Sequence, residues 1–298
     1  MLLLAFLDEA YRMLITFLLN IISFFFYSLG HRGILVFATI LGILSFDILR
    51  IRRKVILKNL SIAFGEEKTL EEKIKLGRKS TINFFRTAIE LLAANKLFKK
   101  TNYVFKNKEY IDALLARGQG VYAICIHMGN WEYLCHISAK NLVPIHVVVK
   151  PIGKGNLAKW FENMRSEVGF HLIERNGNLS TTTQIFNALN KKEIIGFIVD
   201  QKRPRGEMLP FFGKNASTNN SLAKLWLRRN APVIPAIIKR VNVNTHEIIF
   251  FPEFQMNEDK SKSFQENVTE NTTRINAQVE QMIRLNPEEY FWMHNRWG

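Results

Sequence analysis

The residues best placed to do chemistry lie in 121–140, VYAICIHMGNWEYLCHISAK. An apolar run ends at His127, Gly129 allows a tight turn, and Asn130 can cap a helix that opens with Trp131 and Glu132. If the run is a buried strand, His127 sits at its carboxyl end, where open α/β sheets place their ligands. Glu132 follows His127 by five positions, room enough for the chain to turn and return a carboxylate to the imidazole. The carboxylate would then hold one ring nitrogen while the other takes a proton from an attacking hydroxyl. The same pair also reads as a structural histidine and a glutamate that favours the helix dipole, and spacing alone leaves both readings open. Glu132 with His136 matches no zinc-ligand spacing, so no metal site is expected.

These residues need a sheet to hold them. Runs rich in branched residues at 121–126, 145–149, 194–199, 233–238 and 247–251 alternate with helical stretches, which predicts an α/β layer structure, a largely buried sheet flanked by helices. Residues 66–97 have the spacing of one or two amphipathic helices, and the polar stretch 257–273 is the one long linker expected. With 298 residues and 47% hydrophobic content, one domain can bury a full core and leave chain for a membrane segment.

That segment is N-terminal. Residues 13–29 carry no charge, and as a helix they nearly match the roughly 30 Å hydrocarbon core of a bilayer. A second apolar run, 34–46, is too short to span comfortably and is expected at the interface or in the core. Two buried helices of a soluble domain are the alternative. Asp8 and Glu9 stand where a cleaved signal peptide would be basic. The block Arg50, Arg52, Arg53 and Lys54 places the following chain on the cytoplasmic side. The expected division is 1–48 as membrane anchor and interfacial segment and 49–298 as the functional domain.

The formal net charge of +15 calls for an acidic counterpart: nucleic acid, an anionic membrane or an acidic carrier protein. No helix-turn-helix, zinc or RNA-binding signature supports the first, and a long apolar N-terminus does not suit it. Cys125 and Cys135 lie in apolar surroundings and read as packing residues in a reducing compartment.

Several motifs occur together and in order. HMGNWE at 127–132 resembles the active-site signature of the late acyltransferases of lipid A biosynthesis, the lauroyl and myristoyl transferases. KNLSIAFGE at 58–66, VDQ at 199–201, PFFG at 210–213 and APVIPA at 231–236 are similar to further segments of that family. PEEYFWMHNRW at 287–297 resembles its C-terminal pattern, with Asn295 where an arginine is usual.

The resemblance implies an acyltransferase-type mixed sheet with an N-terminal transmembrane helix in a bacterial inner membrane. The implied reaction moves a fatty acyl chain from an acyl thioester, on acyl carrier protein or coenzyme A, to a hydroxyl of an anionic glycolipid, a lipid A precursor. His127 would be the general base, Glu132 the group that orients it, and Arg165 the oxyanion donor, with Arg175 competing for that role. Asp200 would serve acceptor binding or site geometry, and Lys202, Arg203 and Arg205 would form a cationic mouth. No cofactor is implied, because the thioester is a co-substrate. Another membrane glycolipid, such as a phosphatidylinositol mannoside, is the alternative acceptor. A glycerophospholipid acyltransferase would carry an EGTR-like phosphate-binding block, which is absent from the sequence.

Overall fold

The computed structural model of the protein describes residues 2–148, 155–166, 170–173 and 180–298. Helix α1 (Leu2–Ile43) breaks at Gly30, where φ is 60° and ψ is −177°, a conformation that glycine adopts without steric cost. Residues Met13–Ile48 are long and apolar enough to cross a membrane. Met13, Leu14, Phe17, Leu18 and Ile21 are exposed ahead of the break. Beyond it the helix has two faces: Ile34 and Ala38 are buried with Ile89, Ala93 and Leu97, while Val36, Phe37 and Ile40 face outward. The second apolar run therefore packs against the domain and exposes apolar surface at once.

Helices α2 (Arg53–Phe64), α3 (Leu70–Leu92) and α4 (Ala94–Leu97) follow. Thr69 and Glu72 form a reciprocal capping box that starts α3. The α/β part then runs β1 (Asn102–Lys106), α5 (Lys108–Leu115), β2 (Val121–Cys125), α6 (Trp131–Asn141), β3 (Ile145–Val148), α7 (Gly155–Ser166), β4 (Phe170–Ile173), α8 (Thr181–Asn190) and β5 (Ile194–Ile198). After a β6 (Glu207–Phe211) and β7 (Lys214–Thr218) hairpin come α9 (Ser221–Arg228), β8 (Val233–Arg240), β9 (Thr245–Phe250) and α10 (Phe264–Leu285).

Among the described residues seven strands form one sheet in the order β1-β9-β8-β2-β5-β3-β4, parallel throughout except where β8 meets β9. All five expected apolar runs are strands of this sheet. The strands without a clear sequence signal are at its two edges, where β1 is half exposed and β4 is only four residues long. Side chains of the central strands alternate between two apolar layers. Val121, Ala123 and Cys125 face α5, α6 and α7, whereas Tyr122, Ile124 and Ile126 pack with residues of α2, α8, α9 and α10.

The expected linker at 257–273 is corrected. Ser263 and Glu266 form a second capping box and α10 begins at Phe264, so most of the stretch is the first half of a long helix. Its asparagines misled the reading because they turn inward. Asn267 donates to the Asp259 carbonyl at 2.9 Å and Asn271 to the Asn257 carbonyl at 2.6 Å, binding the preceding loop onto the helix.

One buried ionic cluster joins α3 to the sheet. The Glu90 carboxylate is fully buried and accepts from Arg86 Nε at 2.8 Å, Arg240 Nη2 at 2.6 Å and Asn130 Nδ2 at 2.8 Å. Burial alone would raise its pKa, but the two guanidinium groups hold it down at about 2. Glu90→Ala leaves both arginines buried without their counter-charge, so a loss of ~3–5 kcal/mol is expected in denaturant unfolding of the detergent-solubilised protein. A loss under ~1 kcal/mol would show that the cluster is not a structural tie. The depressed carboxyl also gives the wild type a stability component that is complete above the unfolded-state value near 4.5 and fades as pH falls toward 2.

Candidate active site

The geometry of the site begins with strand register. β2 and β5 are parallel neighbours with Cys125 opposite Ile198, so His127 and Asp200, each two residues further on, leave the sheet side by side at its carboxyl edge. His127 Nδ1 lies 2.8 Å from Asp200 Oδ1, and the His127 backbone N–H donates to Oδ2 at 3.0 Å. Burial raises the Asp200 pKa, yet the facing imidazole and these hydrogen bonds outweigh it and the net shift is downward. An ionised carboxylate can only accept, so the ring donates from Nδ1, and in the neutral imidazole that leaves Nε2 as the acceptor. The Gln201 amide nitrogen is 3.3 Å from Nε2.

The turn after His127 is held from several sides. Gly129 has φ +61°, and a Cβ there would lie 2.2 Å from the Ile238 carbonyl oxygen, which leaves room for glycine alone. The Gly129 carbonyl accepts from Thr87 Oγ1 at 2.9 Å and its N–H donates to the Glu289 carbonyl at 3.1 Å. Phe291 N–H donates to the His127 carbonyl at 3.0 Å, and Met128 bridges to Tyr290. Asn130 then caps α6 by accepting from the Tyr133 N–H at 3.0 Å, as the sequence predicts, while its amide is pinned by Glu90.

Glu132 lies in the first turn of α6 but does not hold the imidazole. Arg165, near the end of α7, takes both of its oxygens, Nε to Oε2 at 2.9 Å and Nη2 to Oε1 at 2.6 Å. Both side chains are buried, and Arg165 Nη1 has no hydrogen-bond partner among the described residues. The expectation that Glu132 would orient His127 is therefore corrected: a first-turn helix residue points toward α7, while strand register gives Asp200 to the ring.

A cavity of about 360 Å³ opens onto these groups. His127, Glu132, Arg165, Lys202 and Arg203 form its polar side, and Cys135, Val147, Phe170 and Ile198 its apolar side. Arg205 is exposed and outside the lining, and Arg175 lies outside the described residues. The cationic loop is tied to the C-terminal motif: Lys202 N–H donates to His294 Nε2 at 2.8 Å, and Arg203 N–H and Arg296 Nη1 both donate to the Ser217 carbonyl. Asn295 thus sits between two residues that retain clear structural partners.

Sequence reasoning left Gln201 and Phe291 unassigned although both fall in quoted motifs. Phe291 packs beside His127 and Trp131, with ring centroids 6.0 Å and 6.3 Å away. Phe211 and Phe212 are buried against Trp297 and Trp292 and line no part of this cavity. Cys125 has its thiol pKa pushed up to about 12 by burial and the nearby Asp200, and burial also raises that of Cys135. Neither is poised as a nucleophile.

The sequence profile of the family described as bacterial lipid A biosynthesis acyltransferase matches residues 7–298. No curated relative matches the chain. The match takes in the apolar helix, the sheet and every cavity-lining residue named above, and so the chain belongs to the bacterial lipid A biosynthesis acyltransferase family.

Proposed function

We propose that this protein transfers a fatty acyl chain from an acyl thioester, borne by acyl carrier protein, to a hydroxyl of a lipid A precursor, with His127 as general base. The observation that carries the reading is the imidazole itself: Nδ1 is fixed on a buried carboxylate and Nε2 is left as the acceptor beside a mixed polar and apolar cavity.

In this reaction the acceptor hydroxyl displaces the long Gln201 contact and gives its proton to Nε2 as its oxygen attacks the thioester carbonyl carbon. Asp200 stabilises the imidazolium. The negative charge that develops on the carbonyl oxygen meets Arg165, which lines the cavity and keeps Nη1 without a partner while Glu132 holds Nε and Nη2. Glu132 then acts by aiming the guanidinium. Collapse breaks the carbon–sulfur bond, the imidazolium returns the proton to the departing thiolate, and an ester and a free thiol result. No cofactor takes part.

Lys202 and Arg203 at the cavity give the basic charge a use, since acyl carrier protein and the phosphates of a lipid A precursor are both anionic. The exposed apolar face of α1 fits a single-pass anchor, residues 1–48 forming the membrane and interfacial part. The exposed Arg50, Arg52 and Lys54 then keep residues 49–298 on the cytoplasmic face of the inner membrane.

His127→Ala is expected to lower transfer from acyl carrier protein by about a hundredfold or more while the protein stays folded. Asp200→Asn should lower kcat with little change in KM, since it disturbs the tautomer and not the cavity. A folded His127→Ala protein with near-normal turnover would falsify the mechanism. Replacing Lys202 and Arg203 together by glutamate should reduce kcat/KM. Raising the salt should depress the wild type more than this variant, because the Debye length contracts from about 10 Å at 0.1 M to about 3 Å at 1 M. Identical salt curves would make the loop a solvated surface. Deleting residues 1–30 should release part of the protein from sedimented membranes, and full-length protein that needs no detergent would overturn the anchor.

A further inference from the structure

The side-chain amide of Gln201 occupies the nitrogen that an acceptor hydroxyl has to reach. Its Nε2 lies 3.3 Å from His127 Nε2. An amide nitrogen of this kind only donates, and the ring nitrogen it meets is the accepting one in the neutral imidazole, because Nδ1 gives its hydrogen to Asp200. The contact is an N–H···N hydrogen bond that covers the base.

The surroundings hold this contact in place. Trp131 and Phe291 flank the imidazole, with ring centroids 5.1 Å and 6.0 Å away, and only 17% of the His127 side chain is exposed. Gln201 is fastened through both of its neighbours in sequence. Asp200 Oδ2 accepts from the His127 backbone N–H at 3.0 Å, and the Lys202 N–H donates to His294 Nε2 at 2.8 Å. The Gln201 side chain therefore springs from a tethered segment, and it lines the same cavity as His127 and Arg165.

A base beside an acyl thioester faces two nucleophiles, the acceptor hydroxyl and water. Attack by water would join its oxygen to the thioester carbonyl carbon and give its proton to Nε2. The carbon–sulfur bond would then break, the imidazolium would return the proton to the thiolate, and a free fatty acid and a free thiol would result. Either nucleophile has to break the Gln201 contact first. Water brings a single small group to do so, whereas a glycolipid acceptor can draw on the binding energy of its remote parts. We propose that Gln201 is a specificity-determining residue of the transfer: its amide masks the base until a large acceptor displaces it, so that the acyl chain passes to a hydroxyl and not to water. This rests on reading His127 as the base.

The test uses full-length protein in detergent with lauroyl- and myristoyl-acyl carrier protein as donors, and follows free thiol and free fatty acid without acceptor and then with a lipid A precursor. Gln201→Ala should raise hydrolysis of the donor alone by about three- to tenfold, the worth of one neutral hydrogen bond. Gln201→Met, of similar length but without a donor, should raise it as well. With acceptor present, both variants should transfer fewer chains per chain hydrolysed. Such a gain cannot come from misfolding. Unchanged hydrolysis in Gln201→Ala overturns the mask, and a fall in transfer without a rise in hydrolysis overturns it too, by making Gln201 a docking group for the acceptor. A rise in Gln201→Ala with none in Gln201→Met assigns the effect to filled space and overturns the hydrogen bond. The extra hydrolysis should vanish when His127→Ala is added to Gln201→Ala, and its persistence there would mean that it does not pass through the base. Near-normal transfer by His127→Ala alone removes the base itself, whereas lost transfer in that variant beside unchanged hydrolysis in Gln201→Ala removes only the mask.

Discussion

Parallel pairing of β2 with β5 in one particular register is the constraint from which the contact of His127 with Asp200 follows. Two strands that end at the same level release His127 and Asp200 side by side, two residues beyond the last paired positions. A slip of one residue would turn every side chain of the strand to the other layer and take the histidine away from its carboxylate. The apolar layers on the two faces guard against that slip, because Tyr122 and Ile124 cannot exchange places with Ala123 and Cys125 without opening one layer and crowding the other. Packing far from the cavity thus determines which nitrogen of the imidazole carries the proton.

A second level of support comes from α3. Thr87 bonds the Gly129 carbonyl, and Glu90 bonds the Asn130 amide while drawing in Arg86 and Arg240. Helix α3 and the turn that bears His127 are therefore tied together. Trp160 extends the connection by donating to Asn20 Oδ1 at 3.2 Å, which brings α7, the helix of Arg165, against α1. Arg165, His127 and the apolar helix share a common frame.

Much of this was legible in the amino-acid order, and the rest failed for identifiable reasons. The apolar run into His127, the turn glycine and the asparagine cap are local, and each could be read from neighbouring residues. The partnership of Asp200 with His127 depends on which strands are neighbours, information that no short segment carries. Glu132 misled because proximity in sequence suggested proximity in space, whereas its helical turn aims it at Arg165. The buried pairing of Arg240 with Glu90 left no local trace, because the two are 150 residues apart. Residues 257–273 read as a linker because inward-facing asparagines look the same in a sequence as solvated ones.

The strap at 286–292 has a consequence for how the protein is made. The turn after His127 leans on that strap: the Gly129 N–H donates to the Glu289 carbonyl, the His127 carbonyl accepts from Phe291 and Met128 bridges to Tyr290. A nascent chain that has emerged only as far as β9 holds the strand, the histidine and the capped helix, yet lacks the segment that fixes them together. Vectorial synthesis therefore gives the apolar helix first and a competent site last.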